Sequence, residues 1–191
     1  MINDKYISED TGELQLTDKG LSGIPVFQLS RYMGALLNNK DLVQIEIDYM
    51  PFISKEDIEK DIVSRIENSG DMNAEDIFTG MLNKKLIVHL LRRSAISPAR
   101  SFSTMPSDKK EKCIKNFIDN IKNCRETVLA LNDMAHAQIS VGGVPLSEVD
   151  TNMQSLKTKG VYILGEMLDV SGKCGGYNLH FAVASAFASC Q

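Results

Sequence analysis

Apolar and polar positions divide the chain into a short β-rich start, a helical middle and a glycine-rich end. Alternation through Glu13, Leu14, Gln15 and Leu16 predicts a first strand, and residues 17–23 read as a loop. Pro25 suits a first helical turn, where its missing N–H costs nothing. Val26, Leu29, Met33, Leu36 and Leu37 then recur at helical spacing up to Asn38 and Asn39. Val43, Ile45, Ile47 and Tyr49 alternate with Gln44, Glu46 and Asp48, the period of a strand with one face in a core, and Pro51 closes it.

From Ser54 the period becomes helical. Ser54 and Asp57 form a capping-box-like start, Ile58, Ile62 and Ile66 make the buried stripe, and Asn68, Ser69 and Gly70 stop it. A third helix is expected to carry Phe78, Leu82, Leu86 and Leu90 on one face. A fourth, capped by Ser107, carries Cys113, Phe117, Ile121, Cys124, Val128 and Leu131. The serine-rich stretch 94–107, with Pro98 and Pro106, reads as a loop. Beyond Asp133 the composition shifts toward Gly, Val and Ala, which places a domain boundary near Asn132. Residues 136–141 and 161–164 are strand candidates, and a last helix begins near Asn178 with Leu179, Val183 and Phe187 as its core stripe.

Composition narrows the function classes. A chain of 191 residues with 43% hydrophobic content can bury a core. A net charge of −4 argues against nucleic acid as a partner, because phosphate binding draws on clustered Lys and Arg. No apolar run approaches the length of a membrane span and the first residues do not resemble a signal peptide, so a cytoplasmic location is expected. Cys113, Cys124, Cys174 and Cys190 are too few and too widely spaced for a disulfide scaffold or a paired zinc site.

The stretch from Gly160 to Leu179 carries the candidate chemistry. An apolar strand ending at Gly165 and Glu166 would deliver a carboxylate at the edge of a sheet, suited to a sugar or polyol hydroxyl. Gly175 and Gly176 would let backbone approach a ligand, and the helix after them would turn its free N–H groups and positive dipole end toward it. The small residues Ala182, Ala184, Ser185, Ala186 and Ala188 permit close packing of that helix.

Residues 137–144, then Glu148, Val149 and Met153, and the run from Gly160 to Leu179 resemble the C-terminal signature of the bacterial aminoacetone oxidase family, FAD-binding proteins often labelled NAD(FAD)-utilizing dehydrogenases. Residues 12–25, with Gln28, Ser30 and Arg31, resemble the inserted domain of the same family. The resemblance implies an α+β fold: a partial β-barrel or small sheet over about residues 1–51, a helical insert over about 52–132, and a β-rich segment, 133–191, belonging to a two-part Rossmann-like FAD domain. It implies that Gly165 and Glu166 meet the ribityl and pyrophosphate region. Tyr177, Asn178 and Leu179 would offer donors to the pyrimidine edge of the flavin beside Gly175 and Gly176, and Gly142, Gly143 and Val144 would line the ring.

The chain contains no GxGxxG after a strand, so the resemblance implies an inserted domain and a cofactor-closing segment without the N-terminal Rossmann-like half. FAD binding by the chain alone is expected to be weak or absent, with activity in the parent oxidoreductase toward a small organic substrate. The competing expectations are a free-standing binding module and complementation by a separate Rossmann-bearing chain. Exposed apolar surface on the last helix predicts dimerisation, or poor order after Gly160. Cys113, Cys124 and His89 read as core residues, Cys174 as unreactive, and Asp169 as an anchor of the loop to Lys173 ahead of a substrate contact. His136 and His180 earn no catalytic role, and no metal site or general base is identifiable.

Overall fold

The computed structural model describes residues 1, 5–39, 41–133, 135 and 137–190. They form an α+β protein of two compact units, residues 44–127 and residues 1–43 with 128–191. Among the described residues the sheets are two antiparallel pairs, with no closed barrel.

The unit of residues 1–43 and 128–191 begins with a hairpin, β1 (Gln15–Thr17) and β2 (Gly20–Ser22). The loop expected at 17–23 therefore contains a strand. Thr17 closes the turn by donating its hydroxyl to the Gly20 carbonyl and accepting from the Lys19 N–H. The helix expected from Pro25 to Asn39 is two helices, α1 (Ile24–Ser30) and α2 (Met33–Asn38). The ladder shortens where Tyr32 N–H donates to Leu29 O, leaving Arg31 in the break.

The unit of residues 44–127 is built on a single apolar core. Strand β3 (Gln44–Ile47) pairs with β4 (Cys124–Thr127) at its two chain ends, Gln44 opposite Thr127 and Ile47 opposite Cys124. Helix α3 (Lys55–Glu67) starts as expected: Ser54 accepts from the Asp57 N–H and donates its hydroxyl to the Asp57 carboxylate, and Ile58, Ile62 and Ile66 are buried. The helix expected around Phe78 is broken into α4 (Ala74–Ile77) and α5 (Lys84–Arg93). Asn83 starts α5 afresh by accepting from Lys85 N–H. Helix α6 (Ser107–Lys122) begins after Pro106 rather than at a Ser107 cap. It ends at Asn123, so Cys124 lies on β4, while Val128 and Leu131 follow β4 outside any regular element. Phe78 sits at the centre, its ring 4.9 Å from that of Phe117 and edge-on to Phe102. Cys113 and Cys124 are buried in this core as read, whereas His89 faces solvent.

In the C-terminal stretch, β structure is confined to isolated bridges, among them Val144 with Leu168 and Gln154 with Tyr162. The strands expected at 136–141 and 161–164 are not formed: His136 lies outside the described residues, residues 137–141 are irregular, and Tyr162 makes only a bridge. A 3-10 turn at Gly165–Met167 leads to the last helix, α7 (Tyr177–Ala188). The stripe assigned to its core, Leu179, Val183 and Phe187, is 71–76% exposed, and the buried side is the one bearing Ser185. Small residues allow that choice, because they bring the helix backbone close to Gly165.

Candidate functional site

The candidate residues fall into two groups joined by α7. In the first, Val144 N–H donates to Met167 O at 2.8 Å and Val144 O accepts from Asp169 N–H at 2.9 Å, which sets the chain at 142–144 alongside buried Leu168. Gly143 has φ +138°, and a Cβ there would stand 2.6 Å from Met167 O, so glycine is required for this approach. Glu166 is exposed and its carboxylate accepts from Ser140 N–H. Gly165 is buried; its N–H donates to Ser185 Oγ at 2.9 Å, and Ser185 donates in turn to Ala182 O at 3.0 Å.

The second group is the start of α7. Gly176 is the N-cap in left-handed conformation, φ 92°, and no side chain caps the helix. Asn178 is not the cap: its Oδ1 accepts from Gly172 N–H at 2.8 Å, folding the 172–176 loop against the first turn. Since the first intrahelical donor is His180 N–H to Gly176 O, the N–H groups of Tyr177, Asn178 and Leu179 stay free at the positive end of the helix. Tyr177 and Leu179 are exposed, and open space lies where side chains on Gly175 and Gly176 would stand. Ala182, which meets Gly165, lies five residues along α7 from Tyr177, a rise of roughly 8 Å, so the two groups sit on one helix about that far apart.

Two residues to which the sequence reading gave no site role, Arg31 and Ser171, adjoin the second group. The carbonyl of Ser171 accepts from Arg31 Nη1 at 3.5 Å, while the N–H of the same peptide, on Gly172, is the one held by Asn178. Arg31 Nε and Ser171 Oγ are buried with no hydrogen-bond partner among the described residues. The Arg31 guanidinium also lies 5.2 Å from the Tyr32 ring centre. The run that carried the resemblance includes Arg31, but only the fold brings it to this loop. Asp169 makes no ion pair with Lys173. Among the described residues no cluster of His, Cys, Asp or Glu could hold a metal ion, and no helix is long and apolar enough to cross a membrane.

This arrangement fits an electron-rich acceptor group. Three N–H groups without an intrahelical partner open the helix, the glycine pair puts no side chain in the way, and the orphaned polar atoms of Arg31 and Ser171 lie in the loop before it, an arrangement that suits an anionic or oxygen-bearing group.

The chain is 34% identical to the 3-dehydro-bile acid delta(4,6)-reductase of Clostridium scindens over 98% of its own length and 45% of that protein's. It is 27% and 26% identical to the ribosomal RNA dihydrouridine synthases of Haemophilus influenzae and Escherichia coli, covering 92% and 93% of this chain and 41% of each relative. The chain thus spans less than half the length of these relatives. Residues 1–139 match the family model described as HI0933-like protein barrel and H2TH domain, and the chain belongs to that HI0933-like family.

Proposed function

We propose that this chain supplies the flavin-edge segment of an FAD-dependent reductase that adds hydride to a carbon–carbon double bond conjugated with a carbonyl. The observation that carries the reading is the uncapped start of α7, where the N–H groups of Tyr177, Asn178 and Leu179 are offered beside Gly175 and Gly176. The relatives' names share one chemistry: a delta(4,6) bond system conjugated to a 3-oxo group in one, and in the others the uridine ring bond that becomes saturated in dihydrouridine. When bound, the flavin supplies the hydride.

The chain's own residues orient and stabilise. Donors at α7 hold the pyrimidine edge and favour negative charge there, Gly142, Gly143 and Val144 line the ring, and Gly165 and Glu166 meet the ribityl side. Residues 133–191 act as the closing segment of the FAD domain and residues 1–132 as its insert. The partner this reading requires is a nucleotide-binding half bearing a GxGxxG loop. Relatives named for enone-type reduction favour this substrate over the amines implied by the aminoacetone oxidase resemblance.

One observation favours an RNA substrate as a second reading. Helix α5 has Lys85, His89 and Arg92 on its exposed side, carries no acidic residue, and neither Lys85 nor Arg92 has an ion-pair partner among the described residues. The overall charge of −4 and the greater identity to the bile-acid reductase weigh toward the small molecule.

The test is a visible spectrum of the chain, alone and co-expressed with a Rossmann half, after gel filtration removes free FAD. Turnover assays with a conjugated steroid dienone and with ribosomal RNA follow. Retained flavin in the assembled protein and oxidation of the reduced flavin by the dienone are expected. Colourless protein in both forms overturns the flavin reading, and turnover of RNA alone replaces the substrate.

A further inference from the structure

We infer that Arg31, contributed by the N-terminal helical segment, is the cation that tunes the flavin edge at the start of α7. The inference rests on the flavin reading above and adds a residue to which that reading gave no role. The Ser171–Gly172 peptide is clamped at both ends, its carbonyl by Arg31 Nη1 and its N–H by Asn178 Oδ1. A guanidinium bonded to that carbonyl is therefore one peptide unit from the first turn of α7, which sets the distance between the charge and the free helix donors.

Two further features separate this from a purely structural arginine. An arginine that only braces a loop can satisfy its donors on that loop. Here Nε is buried and unpaired, and so is the neighbouring Ser171 hydroxyl; these are the orphaned buried polar atoms among the described side chains. Leaving such groups unpaired costs free energy comparable to a lost hydrogen bond, so orphans next to each other point to an acceptor that arrives with the ligand. Second, no carboxylate pairs with Arg31 among the described residues, so its charge is not cancelled locally. An uncancelled cation on a half-buried loop, next to a helix end of the same sign, favours negative charge on whatever occupies the space before Gly175 and Gly176.

Arg31 is thus a positioning and electrostatic residue. Through Ser171 it fixes the loop that carries the glycine pair, and through its charge it stabilises the electron-rich form of the ring.

The test uses the FAD-loaded protein, this chain assembled with its nucleotide-binding half, as wild type and as Arg31→Met and Arg31→Lys. Sulfite is the probe, because its addition to the flavin leaves negative charge on the pyrimidine edge. Arg31→Met is expected to weaken sulfite binding about tenfold and to lower the flavin midpoint potential, as loss of one charge-assisted contact predicts. Arg31→Lys, which keeps the charge, should recover most of both. If Arg31→Met retains flavin with unchanged sulfite affinity and potential, the inference fails while the flavin reading stands. If both variants shift equally, the effect is one of packing and the electrostatic assignment is overturned. Wild-type protein that keeps no flavin overturns the reading and this inference together.

Discussion

The unit of residues 44–127 and the unit formed by residues 1–43 and 128–191 solve the burial problem differently. Nearly all buried apolar residues belong to the first; among the described residues the second contributes Pro25, Val43, Val149 and Leu168. Conversely, of the large apolar residues left exposed, only Phe52, Ile53, Val63 and Met72 lie in 44–127. The helical unit closes its own core and holds its two ends together through β3 and β4. The other is held mainly by backbone hydrogen bonds, glycine contacts and small side chains, and presents a large apolar surface. The first unit reads as a self-contained scaffold, and we propose the second, with its exposed apolar residues, as the part that meets another body.

The sharpest way to break this contrast is to cut into the core. Phe117 is fully buried with its ring 4.9 Å from that of Phe78, so Phe117→Ala should destabilise the protein by about 3–5 kcal/mol in urea unfolding. A loss below about 1 kcal/mol would mean that the core of 44–127 does not carry the stability.

Polar contacts come next. Ser185→Ala removes the acceptor of the buried Gly165 N–H, and a loss of about 1–3 kcal/mol is expected. Because this contact joins the Gly165–Met167 turn to α7, flavin retention by the assembled protein should fall with it. Ser54→Ala removes the α3 cap and should cost about 1 kcal/mol, with no effect on flavin retention. Equal flavin loss in both variants would erase the division between scaffold and site.

How much of this was legible follows from where burial and local chemistry agree. Ser54 with Asp57 and the Ile58, Ile62, Ile66 stripe announce α3 because the cap and the buried face are local and consistent. Periodicity alone ran past real breaks: Cys124 continues the α6 stripe yet belongs to β4, because its backbone is taken by pairing with Ile47. It failed again at Leu179, Val183 and Phe187, where a regular apolar stripe marks the exposed side. Among the candidate glycines, Gly143 and Gly165 stand at close approaches, against Met167 O and Ala182, whereas Gly175 and Gly176 have positive φ and face open space. Arg31 and Ser171, 140 residues apart, meet only through the fold. Nor does the sequence pattern disclose that the Asn178 side chain turns back to hold the Gly172 N–H, a contact that the loop conformation creates.

Alkaline pH gives a gentler probe of the core. Burial pushes the Cys124 thiol upward against the pull of Arg93, and burial, aided by Cys124, raises the Tyr49 phenol as well. Below the ordinary thiol range both groups are protonated in folded and unfolded chain alike. Above it the unfolded chain loses its protons first, so stability falls as pH rises from about 8.5 toward 10. A Cys124→Ala, Tyr49→Phe double variant should show a smaller drop in urea midpoint over that interval, and an equal drop would remove these groups as its source.

The smallest effect on folding is expected on α7, where the same substitutions should have a large effect on association. Leu179, Val183 and Phe187 lie at i, i+4 and i+8 and are 71–76% exposed, so changing all three to Ser should shift unfolding by only about 0.5 kcal/mol per residue. If this face meets a second body, the wild-type chain alone should self-associate with rising concentration in sedimentation velocity, and the triple variant should stay monomeric. Adding the nucleotide-binding half should compete with self-association in the wild type and fail to join the variant. A wild-type chain that remains monomeric at high concentration and still binds that half equally well with or without the stripe would show that the exposed side of α7 is solvent-facing in the finished protein. In that event the interface must be sought on the remaining apolar surface of the same unit, for which Leu16, Phe27 and Leu129 are the next positions to change.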